Sequence, residues 1–175
     1  MYKITVARPG DLPRLPAIEL VAAKLLAGHA PEAVLAETTS QQDFSEAQAC
    51  GRLWVALSDD VPVGFAHVVL IDAGRAHLEE IDVDPGHGRR GLGTRLVTTV
   101  CEWAAAEGYD SVTLTTFRDL PWNMPFYARL GFEEIPPGAL SAGLRSIVDD
   151  ETRRGLDPDR RVVMRRACVA TRRPV

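Results

Sequence analysis

The stretch Gly86-His87-Gly88-Arg89-Arg90-Gly91-Leu92-Gly93-Thr94 places four glycines and two arginines within nine residues. Glycines let a backbone approach a ligand closely and take positive φ, so several amide N–H groups can converge on one anion at the positive end of a following helix. The ligand such a turn suits carries a pyrophosphate. The segment also matches the dinucleotide pattern G-x-G-x-x-G, with Asp110 near the later acidic position. A dinucleotide fold, however, places that acid at the end of the next strand, whereas Asp110 precedes the run Val112-Thr113-Leu114. No second βαβ half follows, and no Gly-Lys-Ser/Thr closes the turn as a Walker loop requires.

The turn needs a strand before it and a helix after it. Ala76-His77-Leu78-Glu79-Glu80-Ile81-Asp82-Val83 reads as the strand. Leu92, Leu96, Val100 and Trp103, with Val97, Cys101 and Ala104 beside them, recur at helical spacing. Along the rest of the chain the pattern predicts strands at 2–7, 52–58, 62–71, 111–117, from Phe132 and at 160–169, with Asp59-Asp60 turning between the second and third. Helices are expected at 12–27, 91–107, 122–130 and 142–155, and 28–50 reads as a polar stretch without a defined element. This order gives an α/β fold, a central mixed sheet of about seven strands flanked by helices. At 175 residues and 46% hydrophobic, one domain over 1–175 is expected.

Val83-x-Pro85 followed by Gly91-x-Gly93 resembles the signature of the GNAT superfamily, the acetyl-CoA-dependent N-acyltransferases. In that signature a strand ends Val-x-Pro and Arg/Gln-x-x-Gly-x-Gly/Ala opens a helix. Gly88 stands where the family usually has Arg or Gln, while Arg89 and Arg90 keep positive charge in the loop. A second block, Tyr127-Ala128-Arg129-Leu130-Gly131-Phe132, resembles the family's Tyr-x-x-Leu-Gly-Phe, and the two blocks with their connecting helix cover residues 75–135. Leu120 replaces an Asn frequent seven residues before that Tyr, and Asn123 lies closer to it. The resemblance implies the GNAT fold, with acetyl-CoA as co-substrate. Its pyrophosphate would lie on the amides of Gly88, Arg89, Arg90, Gly91, Leu92, Gly93 and Thr94. Ile81 and Val83 would flank the pantetheine where the family splays its two central strands, and Asn123 and Phe126 would lie near the cofactor.

Acyl transfer from a thioester to an amine needs a neutral amine, a stabilised oxyanion and a proton for the departing thiolate. An alkylammonium has a pKa of about 10.4, so a base, often acting through water, must remove its proton. Alternation puts His77, Glu79, Ile81 and Val83 on one strand face and Glu80 and Asp82 on the other. Glu79 thus shares the apolar face, where burial would raise its pKa toward usefulness. Leu78-Glu79-Glu80 resembles the Leu-Glu-Asp of polyamine acetyltransferases, whose Glu is the base. Ala76-His77-Leu78 resembles the arylalkylamine acetyltransferases, whose two histidines sit at the places of His77 and Glu79. Glu79, His77 and a water chain therefore stand as alternatives for the base. Tyr127 matches the family's general acid, and a backbone N–H near Val83 would stabilise the oxyanion.

The cysteines Cys50, Cys101 and Cys168 are odd in number and widely spaced, which points to neither a disulfide framework nor a zinc site. With no apolar run of membrane-spanning length and no signal-peptide pattern at Met1-Tyr2-Lys3-Ile4, a cytoplasmic location is expected. Charge is uneven: residues 145–175 carry nine Arg against five acids, leaving −8 on the first 144. Acids interrupt those Arg residues and no aromatic accompanies them, so neither nucleic acid nor membrane is expected as a partner. The expected partners are acetyl-CoA and an amine acceptor, favoured as cationic if Asp43 or Glu46 joins Glu79 at the site. A homodimer is expected from the family resemblance and from a strand around Val162-Val163-Met164 placed at a sheet edge that needs cover. A non-catalytic acyl-CoA-binding regulator of the same fold is the alternative function.

Overall fold

The computed structural model describes residues 1–168, so the last residue of the strand expected at 160–169 lies outside the described residues. The described residues form seven strands: β1 (Tyr2–Val6), β2 (Leu53–Ser58), β3 (Val61–Ile71), β4 (Arg75–Val83), β5 (Ser111–Phe117), β6 (Glu133–Glu134) and β7 (Arg161–Ala167). They form one sheet in the order β1-β2-β3-β4-β5-β7-β6. The helices are α1 (Leu15–Ala23), α2 (Glu32–Leu35), α3 (Gln41–Ala49), α4 (Leu92–Ala106), α5 (Met124–Arg129) and α6 (Ala142–Arg153). This is the expected mixed sheet flanked by helices. Among the described residues no helix is long and apolar enough to cross a membrane. The chain forms two compact units, Met1–Val69 with Glu79–Thr99, and Leu70–Leu78 with the chain from Val100 on.

In the first unit β1 pairs antiparallel with β2, and β2 with β3. Asp59 and Asp60 both take positive φ, 47° and 65°, the conformation that suits a two-residue hairpin. Leu15, Ile18, Phe44, Ala47, Leu53, Val55, Leu57 and Phe65 close the core, with the Phe44 ring edge-on to Phe65 at 5.4 Å. The single helix expected over 12–27 is in fact three pieces, a 3-10 turn at Pro9–Arg14, α1, and a second 3-10 turn at Lys24–Leu26. Pro13 and Pro16 carry no N–H donor, so a regular helix begins only where their missing donors coincide with a helix start. The stretch 28–50 is not featureless, since it holds α2 and α3. The Ser40 hydroxyl caps α3 by accepting the Asp43 N–H, and Phe44 and Ala47 bury its apolar side.

In the second unit β4 pairs parallel with β5 through Ala76↔Val112 and His77↔Thr113. β7 runs antiparallel along all of β5, from Ser111↔Ala167 to Phe117↔Arg161. The other side of β7 carries β6, through Glu133↔Arg165 and Glu134↔Met164. Val162, Val163 and Met164 are therefore interior and buried, and the expectation that this strand forms a sheet edge is corrected. An apolar run was as compatible with a doubly flanked strand as with an edge needing cover. Leu140, Leu144 and Val163 pack with Ile71, Ile135 and Val148. Asp72, at the β3–β4 hairpin tip, accepts hydrogen bonds from the Ser141 hydroxyl and from the Gly143 N–H at 2.7 Å. The Asp72 carboxylate occupies the space a Cβ at position 143 would need.

Candidate functional site

The glycine-rich turn lies within the first unit. Asp84 follows β4, donates its N–H to the Val63 carbonyl at 2.8 Å, and accepts the Gly86 N–H on its carboxylate at 2.8 Å. Pro85–His87 forms a 3-10 turn closed by the Gly88 N–H on the Pro85 carbonyl. Arg89 and Gly91 then take positive φ, 57° and 73°. The chain enters α4 with the Gly91 carbonyl accepting the Arg95 N–H at 3.0 Å. The N–H groups of Leu92, Gly93 and Thr94 belong to the first helical turn, which has no intrahelical acceptor for them. The expected succession of strand, phosphate-type turn and helix is thus present, with Gly88 and Gly93 half-buried and Arg89 and Arg90 exposed.

Sequence inspection gave no signal for what braces this turn. The Tyr2 hydroxyl lies 2.9 Å from His87 Nδ1, and the two rings meet edge to face at 5.8 Å. The Arg90 guanidinium carbon lies 5.7 Å from the Tyr2 ring centroid. Arg95 donates to the Tyr2 carbonyl from both terminal nitrogens at 3.3 Å.

Burial along β4 follows position rather than face. Ala76, His77 and Leu78 are buried, Glu79 is exposed, and Glu80 to Val83, with Ile81 among them, are half-buried. The expectation that Glu79 is buried on the apolar face is corrected: alternation assigns a side chain to a face but does not say what covers that face. Glu79 is a carboxylate that solvent reaches. On the opposite strand face Asp82 has its pKa raised, by burial first and then by the charges of Glu80 and Glu19. Glu19 lies on the buried stripe of α1 with Leu15, Ile18 and Ala22. Its carboxylate accepts the Thr39 N–H and hydroxyl at 2.9–3.0 Å, and burial raises its pKa against those bonds. A glutamate at an apolar helical position was the legible signal for this acidic group. Asp43 accepts the Ser40 hydroxyl and Glu46 accepts from Gln42, both on the exposed side of that helix.

In the second unit His77 is 1% exposed, with Nδ1 2.8 Å from the Thr113 hydroxyl. Burial lowers its pKa to about 4, opposed by the Glu151 charge. The ring is neutral at pH 7. Glu151 of α6 accepts the Thr115 hydroxyl at 2.5 Å and pairs with Arg161 through two bonds of 2.8 and 3.0 Å. The Arg161 guanidinium also covers the Phe117 ring at 4.7 Å. Tyr127 on α5 is 9% exposed, its ring edge-on to Phe126 at 5.0 Å and to Phe132 at 5.8 Å. Asn123 stands before α5 with its carbonyl accepting the Tyr127 N–H at 3.1 Å, and its side chain makes no cap bond. Leu120 is buried, so the place where the family often has Asn serves the core. Cys101 is buried, while Cys50 is exposed and Cys168 half-buried, all as free thiols.

Comparison with known proteins gives a consistent assignment. Human N-acetyltransferase 8 is 33% identical over 96 residues, 52% of this chain and 41% of that protein. Glucosamine 6-phosphate N-acetyltransferase of Trypanosoma brucei brucei is 38% identical over 61 residues, 34% of this chain and 40% of that protein. The matched stretch thus spans about two fifths of each of these relatives. Among solved structures, the PaiA N-acetyltransferase of Thermoplasma acidophilum, in complex with coenzyme A, superposes with a TM-score of 0.73 at 16% identity, covering 95% of this chain and 99% of that one. N-acetylglutamate synthase of Neisseria gonorrhoeae, complexed with coenzyme A and N-acetyl-glutamate, gives 0.71 at 16% identity over 97% of this chain and 35% of that one. The model of the acetyltransferase (GNAT) family matches residues 22–132, a span that contains the turn, α4, β5 and α5, and the chain belongs to that family.

Proposed function

We propose that the protein transfers an acetyl group from acetyl-CoA to a primary amine by direct attack of the amine on the thioester. The observation that carries this reading is the turn from Asp84 to Thr94. Its conformation is fixed by Asp84 and by positive φ at Arg89 and Gly91, in the register of the family's coenzyme motif. The pyrophosphate takes the amides of residues 89–94, since the Gly88 N–H is held by the Pro85 carbonyl, and Ile81 and Val83 flank the pantetheine. The names of the relatives, all N-acetyltransferases, support nitrogen as the acceptor atom.

In the reaction the amine lone pair attacks the thioester carbonyl carbon, and a backbone N–H near Val83 holds the oxyanion. The C–S bond then breaks, and Tyr127 gives its proton to the thiolate sulfur. The amine proton leaves through Glu79 by way of water, a route that suits an exposed carboxylate. His77 is a weak base with its pKa near 4, and in this reading it holds Thr113 rather than the substrate. We place the protein in the cytoplasm on the strength of its free thiols. A homodimer rests on the family resemblance alone, and a monomer mass by light scattering at all concentrations overturns it.

The test is release of CoA thiol from acetyl-CoA across a panel of small-molecule, peptide and protein amines, with the acetylated product identified by mass. Tight CoA binding with no turnover on any amine would replace the enzyme with a non-catalytic acyl-CoA-binding module. Absence of CoA binding would overturn both.

A further inference from the structure

We propose that Tyr2 is a positioning residue for the coenzyme phosphates, acting through His87 and Arg90; this rests on the reading of the turn as the coenzyme site. Gly88 gives the head of the motif no side chain, so any side-chain donors to the phosphates come from other positions. Tyr2 organises two of them. Its hydroxyl meets His87 Nδ1 at 2.9 Å. Where Nδ1 accepts the hydroxyl hydrogen, the ring hydrogen is assigned to Nε2, the nitrogen away from Tyr2, where it is a donor. Its ring lies against the Arg90 guanidinium at 5.7 Å. A cation held over a ring face spends none of its N–H groups on the ring, so Arg90 is positioned while its donors are kept for phosphate oxygens.

The same residue also ties the turn to the helix that follows. Arg95, in the first turn of α4, donates to the Tyr2 carbonyl, and Tyr2 is itself fixed in β1 by pairing with Ser58 of β2. One residue of a strand remote in sequence thus braces positions 87, 90 and 95, on both sides of Gly91. The phosphates of CoA that can meet this pair are the pyrophosphate and the 3′-phosphate, which share the same oxygen chemistry.

Calorimetric titration of the full chain with CoA and with dephospho-CoA tests the proposal, using Tyr2→Phe, Tyr2→Leu and a cycle with Arg90→Ala. Tyr2→Phe keeps the ring under Arg90 and loses the bond to His87, so CoA should bind about threefold more weakly. Tyr2→Leu loses both contacts and should weaken CoA about tenfold, with KM for acetyl-CoA raised and kcat unchanged. In the Arg90→Ala background the Tyr2→Leu effect should shrink, because part of it acts through Arg90. A loss confined to CoA assigns the brace to the 3′-phosphate, and an equal loss for dephospho-CoA assigns it to the pyrophosphate. Tyr2→Phe and Tyr2→Leu proteins that both bind CoA as tightly as wild type overturn the proposal, as does an effect equally large with and without Arg90. Wild-type protein that binds neither ligand overturns the coenzyme reading itself.

Discussion

Gly91→Val isolates the backbone of the turn from its packing. Position 91 has φ of 73°, and an ideal Cβ built there meets nothing within 4 Å, so a valine clashes with no neighbour and its whole cost is conformational. The left-handed region costs an ordinary L-residue about 1–2 kcal/mol, and more when the side chain is β-branched. Replacing glycine also restricts the unfolded chain, which returns about 0.4–1 kcal/mol. The net loss is about 1–2 kcal/mol, or roughly 2–8 °C in Tm for a chain of this size. Gly108 supplies the matched control, since its φ is 83° and its Cβ position is equally empty, but it lies in the turn between α4 and β5. Both variants should melt lower by similar amounts. Only Gly91→Val should lose CoA affinity, by about tenfold or more, because a turn that escapes positive φ rotates the amides that hold the anion. Equal CoA affinity for the two variants, both folded, refutes the assignment of the anion to this turn.

Glu79→Gln should lower kcat/KM for the amine by about 10²-fold, the lower range for loss of a general base, whereas Glu80→Gln, on the face it shares with Asp82, should change it little; equal effects would remove Glu79 from the proton path. Tyr127→Phe should depress kcat while calorimetry finds CoA affinity unchanged, since its proton is needed only as the thiolate leaves. The folded pKa of His77 is about 4 against 6.5 for the free ring, so between those values the unfolded state binds the extra proton and stability falls as pH drops from 6.5 to 4. The full loss is about 3 kcal/mol at most. Asp82 and Glu19, with raised pKa values, push the other way. Urea midpoints of wild type and His77→Gln should therefore be compared across this window, where the variant should lose less on acidification. Glu151→Ala strips the half-buried Arg161 of its carboxylate partner and leaves it the Thr115 hydroxyl and the Phe117 ring, so it should cost about 1.5–3 kcal/mol by urea unfolding; a loss below about 1 kcal/mol would show that solvent reaches the pair.

The fold was legible where sequence periodicity and turn chemistry agreed. β5 was expected and found at 111–117, and α4 has the apolar stripe Leu92, Leu96, Val100 and Ala104 buried. It was illegible where local and tertiary forces diverge. Residues 12–27 have helical periodicity, yet Pro13 and Pro16 hold the start to a 3-10 turn before α1. The polar run Gln41-Gln42-Asp43 hid α3, although Ser40 three residues before Asp43 was a readable start signal. The place of β7 between β5 and β6 depends on which distant strand flanks it, and no property local to Val162-Val163-Met164 encodes that.

The candidate site divides along the same line, and the division explains why its motif could be read while its support could not. A coenzyme turn is local: glycine positions, a proline and the start of a helix are neighbours in sequence, so their chemistry survives as a pattern. The contacts around the turn and β4 join residues far apart in sequence. Tyr2 stands 85 residues from His87, Glu19 reaches Asp82 from α1, and Thr113 meets His77 only because β4 and β5 run parallel. The two strand faces thereby take different work. One carries the exposed Glu79, while the other gathers Glu80, Asp82 and Glu19 into a group that resists ionisation at Asp82. A like-charged cluster behind the strand raises the electrostatic cost of each further negative charge there. Removing Glu80 or Glu19 should therefore ease ionisation at Asp82, and carboxyl titration of Glu80→Gln followed by NMR should find the Asp82 pKa lower than in wild type; an unchanged pKa would remove the Glu80 charge from its causes.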